Sequence, residues 1–298
     1  MEFQYKTLKR MLFEQYGCRV GKICIDGGFT CPNRDGKCGV GGCIFCGERG
    51  SGEHITEGTP IRSQVERFLS SPAAGRYSLY IAYFQNFTNT YAPPEVLRSR
   101  FGEALIDERI RVLDIGTRPD CIDEERADVL ADFKTEKLSV WCELGLQTSN
   151  DATAALINRG YKSERFTDAV KILRERGIDV VAHIIIGLPN ETERDVDATV
   201  DFINAHDVSG VKIHSLYVMR GTALEKMYAE GRYTPMTMEY YVSAASRAIS
   251  RLRPDITLHR VTGDCPRGLL VAPEWTTRKS EVISRINMTV EKMRREIL

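Results

Sequence analysis

A chain of 298 residues with 42% hydrophobic side chains has ample material for one sizeable core, within the size range of a single α/β barrel domain. Lys plus Arg and Asp plus Glu both number 41, so no overall field draws nucleic acid to the chain, and any basic patch must be local. No apolar run approaches the ~20 residues of a membrane span. The start is charged and amphipathic rather than a secretory segment. With nine cysteines, an odd number, these features predict a cytoplasmic protein that binds metal rather than forming disulfides.

The predicted elements alternate along the chain. Residues 22–26 read as a first strand, ending at Gly27-Gly28 just before a cysteine-rich run. Residues 78–84 are the second strand, and Pro93-Pro94 opens a helix marked by Leu97, Phe101 and Leu105. Residues 112–116 and 140–146 are the third and fourth strands. Phe166, Ala169, Val170 and Leu173 follow the i, i+3, i+4, i+7 spacing of a helix, and Gly177 supplies its stop. The fifth strand, 180–187, is the most apolar and is expected at the centre of the sheet. Val196, Val200 and Ile203 mark a further helix, with Glu191 and Glu193 suited to its N-terminal dipole. Residues 210–215 form a sixth strand and 257–261 a weaker seventh.

Short apolar runs of this kind suit strands buried on both faces, and strand–helix alternation implies parallel strands with right-handed crossovers. The fold expected is α/β: one domain over 1–298, a partial TIM-type (β/α)6 barrel over about 15–235, and a helical extension over about 235–298. Such barrels carry their chemistry at the C-terminal strand ends. Here those ends hold Gln85-Asn86, Thr117-Arg118-Pro119-Asp120, Gln147-Thr148, Gly187-Leu188-Pro189 and His214-Ser215.

The run GGFTCPNRDGKCGVGGCIFC places Cys31, Cys38, Cys43 and Cys46 within sixteen residues. Dense thiolates suit a soft metal centre. Gly36, Gly39, Gly41 and Gly42 allow tight folding because glycine reaches positive φ without steric cost. A structural zinc site would use all four cysteines, but only Cys43 and Cys46 form a close pair. The alternative is a [4Fe-4S] cluster on Cys31, Cys43 and Cys46, spaced C-x11-C-x2-C, with one iron open to a small molecule. Cys24, Cys121 and Cys142 lie on or beside strands and read as small buried thiols.

This loop after the first strand, the aromatic Phe45 before the last cysteine and the βα repeat resemble the radical S-adenosylmethionine (SAM) superfamily. The segments AYFQ (82–85), GTRPDC (116–121), ELGLQT (143–148), INRG (157–160), HIIIGLP (183–189) and HRVTGD (259–264) are similar to the YhcC/YtqA-type family, small relatives of the radical domain of the Elongator catalytic subunit. The resemblance runs from about 15 to 275. It implies that Cys31, Cys43 and Cys46 hold the cluster and that Cys38, inside the PNRDG…C interval, is a free thiol. The resemblance also implies cofactor contacts. Phe45 would touch adenine, Gln85 the methionine amino group, and Gln147 and Arg159 the polar end, with His183 facing the cofactor. Relatives carry an acidic ribose contact at the position of Gly116, for which Thr117 or Arg118 would substitute.

Tyr83, Asn86, His214, Tyr217, Arg220 and His259 are candidates to line the substrate mouth. Lys22 with other termini-proximal cations, and Arg247, Arg251 and Arg253, are candidate phosphate contacts. The resemblance points to tRNA as partner, to a reductant such as flavodoxin or ferredoxin, and to the C5 substituent of the wobble uridine, carboxymethylaminomethyl becoming aminomethyl. The other classes are a radical enzyme acting on a small metabolite or partner protein, and a non-catalytic iron–sulfur or zinc protein.

Overall fold

The computed structural model describes residues 5–50, 58–266 and 268–296. Its main sheet has seven parallel strands that follow chain order: β1 (Val20–Ile25), β2 (Leu79–Phe84), β3 (Ile110–Thr117), β4 (Ser139–Gln147), β5 (Asp179–Ile186) and β6 (Gly210–Ser215), then β8 (Thr257–Arg260). A short β7 (Val218–Met219) pairs antiparallel with β9 (Leu270–Ala272) outside that sheet. The sheet curls into a half-barrel whose seam lies open between the edge strands β1 and β8. Contacts across the lumen show the curl, since Lys212 of β6 reaches Tyr83 of β2.

Apolar side chains alternate to the outer face of the strands, and the helices cover them. Leu97 and Phe101 of α3 (Pro94–Ala104) are fully buried, and Phe101 meets Phe84 edge-on at 5.0 Å. Pro93 caps α3 and Pro94 occupies its first turn, where a missing N–H costs nothing. Leu105, expected within it, sits one residue past its end. Phe166, Ala169, Val170 and Leu173 are the buried stripe of α6 (Glu164–Glu175), and Gly177 follows at φ 64°. On α7 (Glu193–Asn204) the buried stripe contains Val196, Val200 and Ile203. Its cap is a Thr192/Asp195 capping box; Glu193 sits in the first turn and Glu191 falls outside the helix.

The floor of the barrel is closed by α1 (Leu8–Tyr16), whose Leu12 packs with Ile81, Tyr83, Val112 and Trp141. The fifth strand stops at Ile186, leaving Gly187 at φ 94°. The seventh strand is a full member of the sheet, so the half-barrel has seven strands rather than six. It lies beyond residue 235, so the segment expected to be a helical extension completes the sheet and adds α9 (Met238–Arg251) and α10 (Lys279–Arg295). Four residues are too few to display an alternating pattern in sequence, and the β6–β8 register slips between Val211 and Lys212. No helix among the described residues is long and apolar enough to cross a membrane.

Candidate functional site at the barrel mouth

The cysteine loop leaves the end of β1 and is folded by its own backbone. Arg34 N–H donates to the Cys31 carbonyl at 2.8 Å, Cys38 N–H to Pro32 at 2.8 Å and Gly42 N–H to Asn33 at 2.8 Å. Three of the four glycines take the positive φ expected: Gly36 (93°), Gly41 (81°) and Gly42 (78°). Gly39 is held to glycine for another reason, since a Cβ there would lie 2.2 Å from Asn33 Oδ1. The loop is fastened to the barrel by the turn at residues 157–160, between β4 and α6. Asn33 Nδ2 donates to the Asn158 carbonyl at 2.6 Å, and Asn158 Nδ2 donates to Gly42 at 2.8 Å. Arg34 clamps the far side through the carbonyls of Glu48, Cys46 and Gly47.

Cys31, Cys43 and Cys46 line one cavity of about 240 Å³ at the mouth, together with Phe45. Cys38 is exposed and opens on a separate surface hollow beside Lys37 and Tyr91. Among the described residues no three His, Cys, Asp or Glu side chains gather closely enough to hold a single ion. The three thiols share the wall of this one cavity, and thiolates are the donors an iron–sulfur cluster takes. Burial pushes the Cys43 thiol up to about 12, and the neighbouring Cys46 and Cys31 add to the rise; Asn33 Nδ2, 3.9 Å from its sulfur, opposes it.

All seven expected cofactor contacts, Phe45, Gln85, Thr117, Arg118, Gln147, Arg159 and His183, line this cavity. Their availability differs. Gln147 stands at φ 64°, and its side chain folds back over Gly145, where a Cβ would meet Gln147 Nε2 at 2.8 Å. Arg159 is only 1% exposed and its fork is spent on protein: the carbonyls of Leu146, Thr148 and Tyr161, and Asp151. It braces the loop after β4 while remaining in the lining of the cavity. Arg118 makes a bidentate pair with Asp120 at 2.9 and 2.8 Å and lies 4.7 Å from the Tyr161 ring. Burial opposes its charge, but Asp120 outweighs that and raises its pKa. Thr117 shares a 2.6 Å hydrogen bond with Thr90.

Of the expected substrate-lining residues, Tyr83, His214 and Tyr217 face the cavity. Three do not. Asn86 is buried in the turn after β2, away from the cavity wall. Arg220 is exposed beyond β7. His259 lies toward the opposite end of the barrel, 5.4 Å from the Trp141 ring, because the short β8 pairs only with the first half of β6 and does not reach the mouth. Three of the candidate phosphate contacts are also occupied: Arg247 by Glu193 and Asp197, Arg251 by Asp201 and Arg253 by Asp255.

Beneath the cavity the lumen holds a charged network that sequence reading missed. Lys22 Nζ pairs with Asp114 at 2.9 Å and lies 3.7 Å from Glu143. Glu143 accepts from His183 Nε2 at 2.9 Å and from Lys212 Nζ. Tyr83 is sandwiched, with Lys22 4.0 Å and Lys212 4.3 Å from its ring centre, and Lys212 donates to its hydroxyl at 3.1 Å. Each of these groups is a single polar residue interrupting an apolar strand, as in VLDIG, WCELGL, VAHIII and GVKIH, and that interruption is the signal available in sequence. Burial works against the Glu143 charge, but Lys212, Lys22 and His183 outweigh it and hold the carboxyl well below its usual range. Asp114, raised by burial and by the Glu143 charge, is the carboxylate of the pair that protonates first. Burial lowers Lys212 and keeps His183, His214 and His259 neutral. The β3–β4 register sets Glu143 directly beside Gly116, so the acidic group absent from Gly116 is present on the next strand.

At the rim, Glu191 turns back to accept from Thr148 Oγ1, and burial raises its carboxyl to about 7. A carboxyl whose folded pKa lies above its unfolded value contributes stability in full below the unfolded value of 4.5, and loses it as pH rises through about 7. The melting temperature should therefore fall between about pH 5 and pH 8, and Glu191→Gln should flatten that decline. Equal slopes in the two proteins would refute this assignment of the titration.

Comparison with known proteins decides what this mouth serves. The Radical SAM superfamily model matches residues 33–203, and the Radical_SAM C-terminal domain model matches 208–292.

The chain belongs to the radical SAM superfamily.

It is 39% identical to YtqA of Bacillus subtilis (strain 168) over 298 residues, covering 97% of this chain and 90% of that protein. Elongator complex protein 3 of Danio rerio is 30% identical over 160 residues, 52% of this chain and 28% of that protein. The fold is shared with the archaeal Elp3 of Methanocaldococcus infernus at a TM-score of 0.63 and 18% identity, over 88% of this chain and 62% of that one. This radical SAM enzyme therefore uses a [4Fe-4S] cluster and SAM, and its seven-stranded half-barrel is the fold of the family. The superfamily match begins at residue 33, so Cys43 and Cys46 fall inside it and Cys31 just before it.

Proposed function

We propose that Cys31, Cys43 and Cys46 hold the cluster and that the enzyme acts on the C5 substituent of the tRNA wobble uridine, converting carboxymethylaminomethyl to aminomethyl. The observation that carries the substrate is the sequence kinship with Elongator complex protein 3 over 160 residues of the barrel. When bound, the cluster and SAM would supply a 5′-deoxyadenosyl radical that takes a hydrogen atom from the carbon between the substituent's amine and its carboxylate; loss of one more electron gives an imine, water hydrolyses it to the aminomethyl group and glyoxylate, and SAM, ending as methionine and 5′-deoxyadenosine, is the net two-electron oxidant.

The chain's own residues do the rest. Phe45, Gln85, Thr117, Arg118 and Gln147 present the cofactor-binding wall, and Arg159 holds that wall in shape through three backbone carbonyls. Tyr83, His183 and His214 form the inner end of the cavity, where the substituent would enter. With the histidines neutral and Glu143 already paired, this end orients the substituent by hydrogen bonds without adding net charge next to the reacting carbon. A single extruded base is the natural fit for such a cavity, and an anticodon loop offers unstacked bases. A low-potential reductant such as flavodoxin or ferredoxin completes the reaction.

Mass spectrometry of tRNA nucleosides from cells lacking the protein tests the substrate. Carboxymethylaminomethyl-uridine should accumulate and aminomethyl-type nucleosides should vanish. Unchanged nucleosides would move the substrate to a small molecule or a protein.

A further inference from the structure

The β6–β8 ladder contains a register slip that changes which way β8 faces. Gly210 pairs with Thr257 and Val211 with Leu258, but Lys212 pairs with Arg260, so His259 is the extra residue of a β-bulge. Bulges re-aim side chains. In a regular strand, with Leu258 packed outward in the core and His259 facing the lumen, Arg260 would point outward again. The bulge gives Arg260 the register of Lys212, which faces the lumen and bonds Glu143. The electrostatics agree. The Arg260 charge acts on Cys24 of β1, Tyr83 of β2, His183 of β5, and Lys212 and His214 of β6.

Arg260 differs from the other lumen cations in having no carboxylate partner among the described residues. Lys22 is taken by Asp114 and Lys212 by Glu143, whereas Arg260 makes no ion pair with the described residues. It is only partly buried and stands on the edge strand β8, across the open seam from Cys24, which is the exposed residue of β1. A guanidinium aimed into a sheltered space without a counter-ion is a receptor for a carboxylate or phosphate, because its planar fork matches either in two hydrogen bonds. The lumen supplies the shelter, so the pairing is screened less than at an open surface.

We infer that Arg260 is the specificity residue of this enzyme and that it receives a carboxylate of the substrate. Resting on the tRNA reading above, that group is the carboxylate of the carboxymethylaminomethyl substituent. The substituent enters past Tyr83, His183 and His214 at the inner end of the mouth cavity; Arg260 is not in that cavity's lining, and the terminal carboxylate extends below those side chains, which feel the Arg260 charge, to meet the guanidinium. This gives the enzyme a means to prefer its substrate over its product, since the aminomethyl product has lost the carboxylate.

The test is equilibrium binding of the full-length protein, without turnover, to two otherwise identical tRNAs. One carries carboxymethylaminomethyl-uridine at the wobble position and the other aminomethyl-uridine. The wild type should bind the first about tenfold to a hundredfold more tightly. Arg260→Met should erase that preference while keeping the affinity for the second, and Arg260→Lys should retain part of it. An equal loss for both tRNAs in Arg260→Met, with a shallower salt dependence, would mean a backbone phosphate contact and would overturn the carboxylate assignment. Binding of both tRNAs without any preference in the wild type would overturn the role of Arg260 and leave the tRNA reading standing.

A second measurement is independent of tRNA: the shift in melting temperature with N-methylglycine, a small amino acid ending in the same carboxylate. A shift in the wild type that is absent from Arg260→Met supports the receptor even if neither tRNA binds, in which case the tRNA reading alone fails. No Arg260-dependent effect in either measurement refutes the inference. Unchanged melting temperatures of the two variants without ligand would show that both are folded, as expected of a side chain with no ion pair among the described residues.

Discussion

Replacing Cys31, Cys43 or Cys46 with alanine should reduce anaerobically reconstituted protein from about four iron and four sulfide to almost none, while Cys38→Ala should keep the full complement. The reasoning is geometric. The first three thiols share the mouth cavity, and Cys38 opens on a different hollow, beside Tyr91. Loss of a ligand should also remove the charge-transfer absorbance of the cluster and, with it, reductive cleavage of SAM. Loss of the cluster in Cys38→Ala with retention in Cys31→Ala would exchange the two ligands. Zinc bound without iron in the wild type would remove the ligand set altogether.

The second large effect is on stability. Lys212→Met should destabilise the protein by about 3–5 kcal/mol, because it strips the nearest counter-charge from Glu143, whose side chain is wholly buried. In a protein of this size that is a drop of roughly 10 °C in melting temperature. The double variant Glu143→Gln/Lys212→Met removes the stranded charge as well and should recover most of the loss. Urea unfolding of the three proteins decides the matter. A double variant no more stable than Lys212→Met would show that Lys212 acts chiefly by packing against the Tyr83 ring, from which its Nζ is 4.3 Å.

Strand and helix periodicity made most of the architecture legible in sequence, because buried parallel strands and one-sided helices leave strong patterns. Phe166, Ala169, Val170 and Leu173 were read as a buried stripe and are one. The four-residue β8 left too short a trace to be counted as a full member of the sheet, and its bulge could not be read at all, because a bulge is a property of pairing and not of one strand. The cavity wall was read from the ends of the strands, where loop chemistry is conspicuous. The lumen network was not read, since Lys22, Asp114, Glu143 and Lys212 come from four strands and become partners only when the sheet curls. The protein partners of Arg159 were not legible for a related reason. Its role was read from the resemblance of INRG, and nothing in those four residues announces that the carbonyls of Leu146, Thr148 and Tyr161 will take up the fork.

The stitch at the barrel floor bears on how the chain is made. Leu258 of β8 donates its N–H to the Lys6 carbonyl at 2.8 Å, and Thr7 forms a parallel bridge with Leu258, so residues emerging early from the ribosome wait for a strand some 250 positions later. The Lys22–Asp114 pair can close once β3 is out, but Glu143 must wait 69 residues for Lys212. During synthesis the half-barrel therefore passes through a stage in which two carboxylates destined for burial, Asp114 and Glu143, share the single cation Lys22. Sealing the lumen before β6 arrives would be costly, and this favours a nascent sheet that stays open and hydrated until its last strands are added.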